Sequence, residues 1–382
     1  MDLDFSEEQD MLREMVRGLC STAAPLESVR ALEDDPTGYD PEFWAQLAAL
    51  DLTGLMIPEE FGGSGMTALE GAVVYEEFGR SLAPSPHFVS AVLSAGVILR
   101  AGSDAQKQAW LPPIAKGTEI FTTAWLEPKG GFGPRGVRTQ AAADGDGFLL
   151  TGTKWHVPFG AAATKLVVLA RTGPEPTDVD LFVVDPAADG VSLTQMFSIA
   201  SDCQYQVQLD GVRVTEADRI GAAGSGWATW DAVLREGLVL LAAQAIGGAA
   251  YALEITVQYA KDREQFDKPL GAFQAISHYL ADAATVVNGG RILTYEAAWS
   301  LAEGRPVEGK DVTTLGPMAK LFACQTFRNT TAMGEQVFGG VGFTLEYDIQ
   351  LYFRRAKALQ IAWLDDPALS ELVAVEVLDQ PA

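Results

Sequence analysis

One stretch of the chain carries an arginine, two glutamines and a phenylalanine at spacings that could hold a phosphate-bearing ligand. Arg263 follows a long apolar segment and is itself followed by Gln265, Phe266, Pro269 and Gln274. The planar guanidinium group donates two hydrogen bonds at once, which suits a pyrophosphate, and glutamine can bond further polar atoms. The alternative interpretation is the basic end of a helix followed by a turn at Pro269.

A second stretch is rich in glycine. Gln336 is followed by Gly339, Gly340 and Gly342. Glycine lets the backbone approach a ligand closely and leaves N–H groups exposed as donors. A glycine cap at the end of a helix is the alternative interpretation, because it leaves the same pattern.

Metal chemistry finds no support in the sequence. The three histidines and the three cysteines lie far apart along the chain, and the cysteines form neither a metal-ligand spacing nor an even number for disulfides. We therefore predict no metal site. Free cysteines fit a reducing compartment.

The elements that must position these residues change in character twice along the chain. Apolar residues recur at helical spacing in the first third, strand formers punctuated by glycine and proline follow, and long apolar helices complete the chain. We predict an α+β protein, mostly α, with an N-terminal helical domain, a small β-barrel or sandwich domain and a C-terminal four-helix bundle. The predicted domains are residues 1–118, 119–226 and 227–382.

Single residues mark some element ends. Ser6 followed by acids and Gln9 predicts a helix N-cap. The segment beginning at Asp104 is predicted to end before Pro112-Pro113, and the long apolar helix of the bundle is predicted to start near Leu234.

Charge excludes several classes of partner. The net charge is −24, and no basic stretch could neutralise the phosphates of a nucleic acid or bind an anionic membrane surface. The N-terminus is acidic where a signal peptide needs positive charge, and no apolar run reaches the length of a membrane span. We expect a soluble, cytoplasmic protein.

Taken together, the motifs resemble the acyl-CoA dehydrogenase superfamily. The string Tyr259–Gln274 is similar to the family pattern Y-A-x-x-R-x-Q-F-G-x-P-[LI]-x-x-F-Q, and Gln336–Thr344 is similar to Q-x-x-G-G-x-G-[FY]. Further similar segments begin at Asp4, Gly54 and Gly147, in the family's order. The resemblance covers nearly the whole chain.

This resemblance implies FAD as cofactor and an acyl-CoA thioester as substrate. It implies that Arg263 and Phe266 reach the FAD of a neighbouring subunit, with Gln274 beside them, and that Gln336, Gly339 and Gly340 touch the ADP half. It also implies an oligomer, either a tetramer of like subunits or an assembly with a related subunit. An acceptor such as electron-transfer flavoprotein would take the electrons.

The sequence departs from the family pattern at the flavin edge. Leu126 stands where a threonine usually bonds the flavin ring, and Val157 and Pro158 stand where the family usually has a serine or threonine followed by an asparagine. Pro158 carries neither a side-chain donor nor an N–H. Backbone groups or His156 are then expected to hold the flavin edge.

A further departure concerns the catalytic base. Trp363 occupies the position of the usual glutamate and cannot take a proton. Some relatives place the base on the first helix of the bundle, and Glu236 lies one residue from that position. We therefore predict Glu236 as the base; the alternative is an acid near a helix start that stabilises the helix dipole.

The departures resemble a divergent actinobacterial-type branch, some of whose members act on bulky acyl chains, including sterol side chains, and some as mixed complexes of two related subunits. Two alternative functions stay open. The chain could be a non-catalytic partner subunit that lends its FAD-binding strings to a relative, or a flavin-dependent monooxygenase or oxidase on the same fold.

Overall fold

The computed structural model describes residues 5–378, which form two compact units. A helical unit comprises the described residues up to Val29, Thr67–Ala83, and the chain from Arg235 onward. A sheet unit comprises Arg30–Met66 and Pro84–Leu234. The prediction of a mostly α fold is confirmed, since 56% of the chain is helical. The predicted domain boundaries stay a prediction.

The helical unit begins with α1, Glu7–Ala23, and α4, Ala68–Ser81. Ser6 and Gln9 form the predicted capping box, each side chain bonding the other's backbone N–H. The connecting short helices are α2, Leu26–Ala31, and α3, Pro41–Ala49; α3 belongs to the sheet unit.

The bundle of the helical unit contains the four predicted helices and a fifth. They are α7, Gly226–Asp262; α8, Gln274–Glu303; α9, Val312–Phe338; α10, Ile349–Ile361; and α11, Asp366–Leu378. α9 packs against α8, α10 and α11. Helix α7 begins at Gly226, eight residues before the predicted start, and its first turns, up to Leu234, belong to the sheet unit.

Glycines let α4 and α7 cross at close range. A Cβ on Gly79 would lie 1.8 Å from the carbonyl oxygen of Gln244, and one on Gly247 would lie 1.8 Å from that of Glu76. Neither position admits a side chain, so the small residues of α7 serve close helix packing.

Helix α7 corrects the expectation that no apolar run is long enough to span a membrane. An 18-residue window of this helix reaches a mean hydropathy of 1.7, which is long and apolar enough to cross a membrane. Because 67% of that window is buried inside the protein, packing in the core explains its apolar residues.

In the sheet unit, several helices precede the eight strands along the chain. A π-helix, Phe88–Ser94, leads into α5, Ala95–Ala101, and then α6, Asp104–Ala115. The prediction that α6 ends before Pro112-Pro113 was wrong. Proline loses its own N–H bond and its ring crowds the carbonyl four residues earlier. The helix nevertheless continues through both prolines to Ala115, and the amide of Lys116 donates to the carbonyl of Pro112 (3.0 Å).

The strands of the sheet are β1, Phe121–Ala124; β2, Gln140–Asp144; β3, Gly147–Pro158; β4, Lys165–Arg171; β5, Val179–Val184; β6, Val191–Met196; β7, Gln204–Thr215; and β8, Arg219–Ile220. Their order is β6-β7-β3-β2-β4-β5-β8, with β1 parallel to β4. Most neighbours are antiparallel. The core of the sheet is formed by buried aliphatic residues such as Leu150, Leu166 and Val207.

Candidate functional site

The chain leaves α7 through a tight hairpin. Strands β9, Glu264–Gln265, and β10, Lys268–Pro269, pair antiparallel around a two-residue turn. Both turn residues, Phe266 and Asp267, have left-handed backbone angles (φ 55° and 63°), which a bulky aromatic residue rarely adopts. The hairpin presents Phe266 with 87% of its surface exposed. Such strain is typical of functional positions.

Arg263 lies at the base of this hairpin. Its backbone is held on both sides, since its N–H donates to Tyr259 (2.9 Å) and its carbonyl accepts from Leu270 (2.8 Å). Its side chain is exposed and makes no hydrogen bond or ion pair with another residue in the described range 5–378. The guanidinium is therefore fixed at its root and available to an anionic ligand.

The glycine-rich stretch forms the end of α9. Gly339 caps the helix with φ 68°, and its N–H donates to the carbonyl of Glu335. A short 3-10 turn, Gly339–Val341, follows, and a Cβ on either Gly339 or Gly340 would meet open space. The cap interpretation is confirmed, and the ligand interpretation stays a prediction that the bare backbone of this cap is compatible with.

The hairpin and the glycine turn line one cavity of about 610 Å³ within the helical unit. Stacked rings form part of its wall, with the centroids of Tyr259 and Phe338 4.1 Å apart and Tyr347 edge-on to both. The lining residues are Tyr259, Asp262, Arg263, Gln265, Leu270, Val337, Phe338, Gly340, Val341 and Tyr347.

The cavity therefore brings together Arg263 and Gly340 from the predicted set. The other predicted cofactor residues of this unit lie outside its lining. Gln336 and Gln274 are exposed on α9 and at the first turn of α8, and Gly339 is half-buried beside Gly340. Tyr347 was missed by the sequence reasoning, because no pattern links it to the hairpin.

Leu126 and Pro158 belong to the sheet unit. The carbonyl of Leu126 accepts from the N–H of Trp155 (2.9 Å), and the carbonyl of Pro158 accepts from the hydroxyl of Thr122 (2.6 Å). His156 is exposed, has φ 54°, and pairs through Nδ1 with Gln204 (2.6 Å). The two backbone segments are thus tied to their neighbours.

A buried ion pair lies beside these segments. Lys154 Nζ donates to Glu127 Oε1 (2.6 Å), and Glu127 also accepts from the N–H groups of Arg138 and Thr139 (both 2.9 Å). Burial lowers the pKa of Lys154 to about 8, against the opposing charge of Glu127. Burial alone would raise the pKa of Glu127, but the charge of Lys154 and the hydrogen bonds from Lys154 and Thr139 lower it, so the pair favours the charged form of this carboxylate.

Glu236, the predicted base, lies ten residues inside α7 and is half-buried. The helix-start interpretation of this acid was wrong, because the dipole effect is confined to the first turn of a helix. Its neighbour Arg235 pairs with Glu376 (3.5 Å) and donates to the carbonyl of Thr313 (3.3 Å).

Trp363 occupies a constrained turn after α10, with φ 63°. The buried Lys320 holds this turn, since its ammonium donates to the carbonyls of Ala362 (2.8 Å), Leu364 (2.6 Å) and Gln360 (3.4 Å). Burial lowers the pKa of Lys320.

The two acids that follow Trp363 have structural partners. Asp366 accepts from the side-chain amides of Gln325 (3.0 Å) and Gln360 (2.8 Å). Asp365 accepts from the N–H of Ala368 (3.0 Å) at the start of α11. Both acids therefore hold this end of the bundle by hydrogen bonds, Asp366 through Oδ2 alone, since its buried Oδ1 has no partner in the described range.

Glu335 is a buried acid that the sequence reasoning did not single out. It lies 4% exposed on the last turn of α9, and burial raises its pKa to about 7. No group of three or more His, Cys, Asp or Glu residues in the described range is placed to hold a metal ion.

Three profiles of one family match successive parts of the chain. They are the acyl-CoA dehydrogenase N-terminal domain over residues 6–118, the middle domain over 122–212 and the C-terminal domain over 224–363. Among curated relatives, the chain is 32% identical to acryloyl-CoA reductase (NADH) of Anaerotignum propionicum, covering 94% of this chain and 92% of the relative. It is 30% identical to acyl-CoA dehydrogenase FadE27 of Mycobacterium tuberculosis over the full length of both.

Solved structures agree with these matches. The ChsE4-ChsE5 complex from Mycobacterium tuberculosis superimposes with a TM-score of 0.90 at 28% identity, over 100% of both chains. Butyryl-CoA dehydrogenase from Megasphaera elsdenii superimposes with a TM-score of 0.90 at 26% identity, over 99% of this chain and 100% of that one. The predicted fold class and the predicted reaction class, acyl-CoA dehydrogenation, are confirmed. The chain belongs to the acyl-CoA dehydrogenase family.

Proposed function

We propose that this chain binds FAD and removes hydrogens from the α and β carbons of an acyl-CoA thioester. The observation that carries the proposal is the cavity that joins the unpaired Arg263 to the bare glycine turn at Gly340. Members of the family bind FAD.

The cavity residues fit a dinucleotide. Arg263 offers a planar fork for a pyrophosphate, and the exposed backbone at Gly339 and Gly340 admits a ligand where a side chain would obstruct it. The stacked pair Tyr259 and Phe338 offers an aromatic wall beside them. When bound, FAD supplies the acceptor for the hydrogen that leaves the β carbon.

The chain's own task in the reaction is to take the α proton. We assign this task to the carboxylate of Glu236, because Trp363 has no proton acceptor and Glu236 lies one residue from the position where some relatives place the base.

The proposal includes an oligomer in which the hairpin tip serves a neighbouring subunit. Phe266 extends 87% exposed from a strained turn, with Phe273 as an edge-on neighbour at 6.1 Å. On α8, Tyr279, Val286 and Ile292 expose apolar surface at 53%, 38% and 54%. An assembly, a tetramer of like chains or of two unlike pairs, would cover such surface.

A non-catalytic partner subunit is the second candidate. Trp363 in place of a base favours it, and the structurally similar ChsE4-ChsE5 pair is a complex of two differently named chains. In that case this chain would lend its FAD-binding residues to a catalytic relative.

We also propose an electron acceptor and a cellular location for this chain. We propose electron-transfer flavoprotein as the electron acceptor; the relative CarC of Acetobacterium woodii, 28% identical, is named as a subunit of a caffeyl-CoA reductase-Etf complex. A cytoplasmic location fits the cysteines Cys20, Cys203 and Cys324, which are all free and buried.

The test is to purify the chain alone and with a homologous partner, and to count flavin per chain from the absorption spectrum. Bound FAD that loses its absorption when an acyl-CoA is added without oxygen supports the proposal. Flavin that appears only in the mixed complex supports the partner subunit. Chain without flavin in either preparation contradicts both.

A further inference from the structure

The carboxyl group of Glu335 is enclosed in the helical unit without a partner. The residue is 4% exposed, and neither carboxyl oxygen has a hydrogen-bond partner among residues 5–378. Burial raises its pKa from the usual 4.5 to about 7, because the charged form is the one that loses its hydration. A carboxylate here would be a buried charge without compensation, so the structure favours the neutral acid.

The backbone of the glycine turn covers this carboxyl group. A Cβ added to Gly342 would collide with Glu335 Oε2, so the chain passes directly over the acid. Glycine permits this close passage because it has no side chain. On this side, water reaches the carboxyl group when the turn moves away.

The covering segment, residues 339–346, is held weakly. Its inner backbone hydrogen bonds join near neighbours, from Gly342 to Gly339 and from Thr344 to Val341 (both 3.0 Å). Its large apolar side chains are exposed to 38% at Val341, 67% at Phe343 and 75% at Leu345. Few buried apolar contacts therefore oppose a local opening of this segment.

Neighbouring charges do not replace the missing partner. Helix α9 packs against α8, α10 and α11 and meets α7 where Phe338 stacks on Tyr259. Burial is the cause of the raised pKa of Glu335, and no charge on these elements adds to it. The ionisable side chains of the surrounding elements are Tyr259, Asp262 and Arg263 at the end of α7, His278 and Asp282 on α8, Arg328 on α9, Glu346, Tyr347 and Asp348 before α10, Arg354 and Arg355 on α10, and Asp366 and Glu371 on α11.

We propose that Glu335 is a proton-operated latch on the wall of the cavity. The neutral carboxyl group lets residues 339–346 close over it, and loss of the proton opens this segment, because the carboxylate then gains hydration. The movement carries Gly340 and Val341, which line the cavity. The latch needs no contact between Glu335 and a ligand, and it does not depend on which ligand the cavity holds.

The direction of the effect follows from proton linkage. The closed segment keeps the proton of Glu335 up to about pH 7, whereas an open, hydrated carboxyl group loses it near pH 4.5. The closed form is therefore favoured in full below pH 4.5, and this advantage is lost as the pH rises through 7. With these two pKa values, the equilibrium constant for opening rises about 50- to 100-fold between pH 5 and pH 8.

The experiment is amide hydrogen exchange of the purified full-length chain from pH 5 to pH 8, with each rate divided by the intrinsic rate at that pH. It compares wild type with Glu335→Gln and Glu335→Leu, which cannot ionise, and with the control Glu346→Gln, which removes an exposed acid of the same segment. Residues 238–246 of α7, which are mostly buried, report on global unfolding. In wild type and the control, we expect protection of residues 339–346 to fall about 50- to 100-fold over this range, with residues 238–246 unchanged. In both Glu335 variants, protection should not depend on pH.

Four outcomes would overturn the latch. Constant protection of residues 339–346 in wild type shows that ionisation does not open the segment. The same loss in the Glu335 variants as in wild type assigns the opening to another group. A parallel loss at residues 238–246 shows global unfolding rather than a local movement. Failure of both Glu335 variants to fold contradicts the claim that a neutral side chain suffices to keep the segment closed. None of these results depends on FAD binding, so the latch and the proposed function fail separately.

Discussion

Removing the ammonium group of the buried Lys154–Glu127 pair should destabilise the sheet unit strongly. Both side chains are buried, with 0% and 4% of their surfaces exposed, and the Nζ–Oε1 distance is 2.6 Å. In Lys154→Met, Glu127 keeps the N–H donors of Thr139 and Arg138 but loses its counter-charge.

The size of the effect follows from these contacts. Breaking a buried pair by removing one partner costs about 3–5 kcal/mol. Because two donors remain on Glu127, we expect the lower end, about 3 kcal/mol, or a fall of about 6–12 °C in the unfolding midpoint of a unit of this size. In the double variant Lys154→Met/Glu127→Gln no charge is left buried, so most of the loss should be recovered.

The assay is urea unfolding followed by tryptophan fluorescence, since Trp125 and Trp155 lie on the segments beside the pair. Lys165→Met is the matched control, because Lys165 forms an exposed ion pair with Asp185 (3.0 Å) in the same sheet, expected to contribute less than about 1 kcal/mol. The reasoning is refuted if Lys154→Met costs no more than Lys165→Met, or if the double variant is less stable than the single one.

Two further predictions concern other sites. His87 is buried, with its Nε2 2.9 Å from the carbonyl oxygen of Leu52, and burial lowers its pKa from 6.5 to about 4. Between pH 6.5 and pH 4 the unfolded chain therefore binds a proton that the folded chain does not. The free energy of unfolding should fall by about 3 kcal/mol as the pH drops through this range. In His87→Gln, measured by urea unfolding at each pH, this part of the acid loss should vanish, and an unchanged pH profile would count against it. Arg263→Ala should weaken FAD binding by about 1.5–3 kcal/mol, because a charge-assisted contact is lost. Lys261→Ala removes an exposed cation two residues away and should leave FAD binding unchanged. Equal flavin retention after gel filtration in both variants would contradict the assignment of Arg263.

Element ends that depend on local chemistry could be predicted from the sequence. The capping box of Ser6 and Gln9 and the glycine stop at Gly339 are local, because the groups that bond lie within one helical turn. The extension of α6 through Pro112-Pro113 was missed because proline lacks the N–H donor and crowds the carbonyl four residues earlier, so that it usually ends or kinks a helix. Strand β1 has four residues, all buried, so no alternation marked it.

The residues of the candidate site also fall into two groups, those that the local sequence indicates and those that only the packing of the chain brings together. Arg263 and Gly340 were found because each lies in a contiguous string with a chemical reason for its spacing. Tyr347 joins them only through the packing of the chain between α9 and α10, and the sequence contains no signal for that meeting. Glu335 resembles any surface acid on a helix until the structure shows that it is buried.

We propose that this chain itself dehydrogenates an acyl-CoA, with Glu236 as base. The most direct measurement is rapid mixing of the oxygen-free holoenzyme with an acyl-CoA, following loss of flavin absorption in wild type, in Glu236→Gln and in Glu254→Gln. Glu254 is an exposed acid on the same helix, paired with Arg80. We predict that Glu236→Gln keeps its flavin and slows reduction about 100- to 10,000-fold, while Glu254→Gln reduces at the wild-type rate. Equal rates in all three would contradict Glu236 as the base, and no reduction in wild type would contradict catalysis by this chain alone.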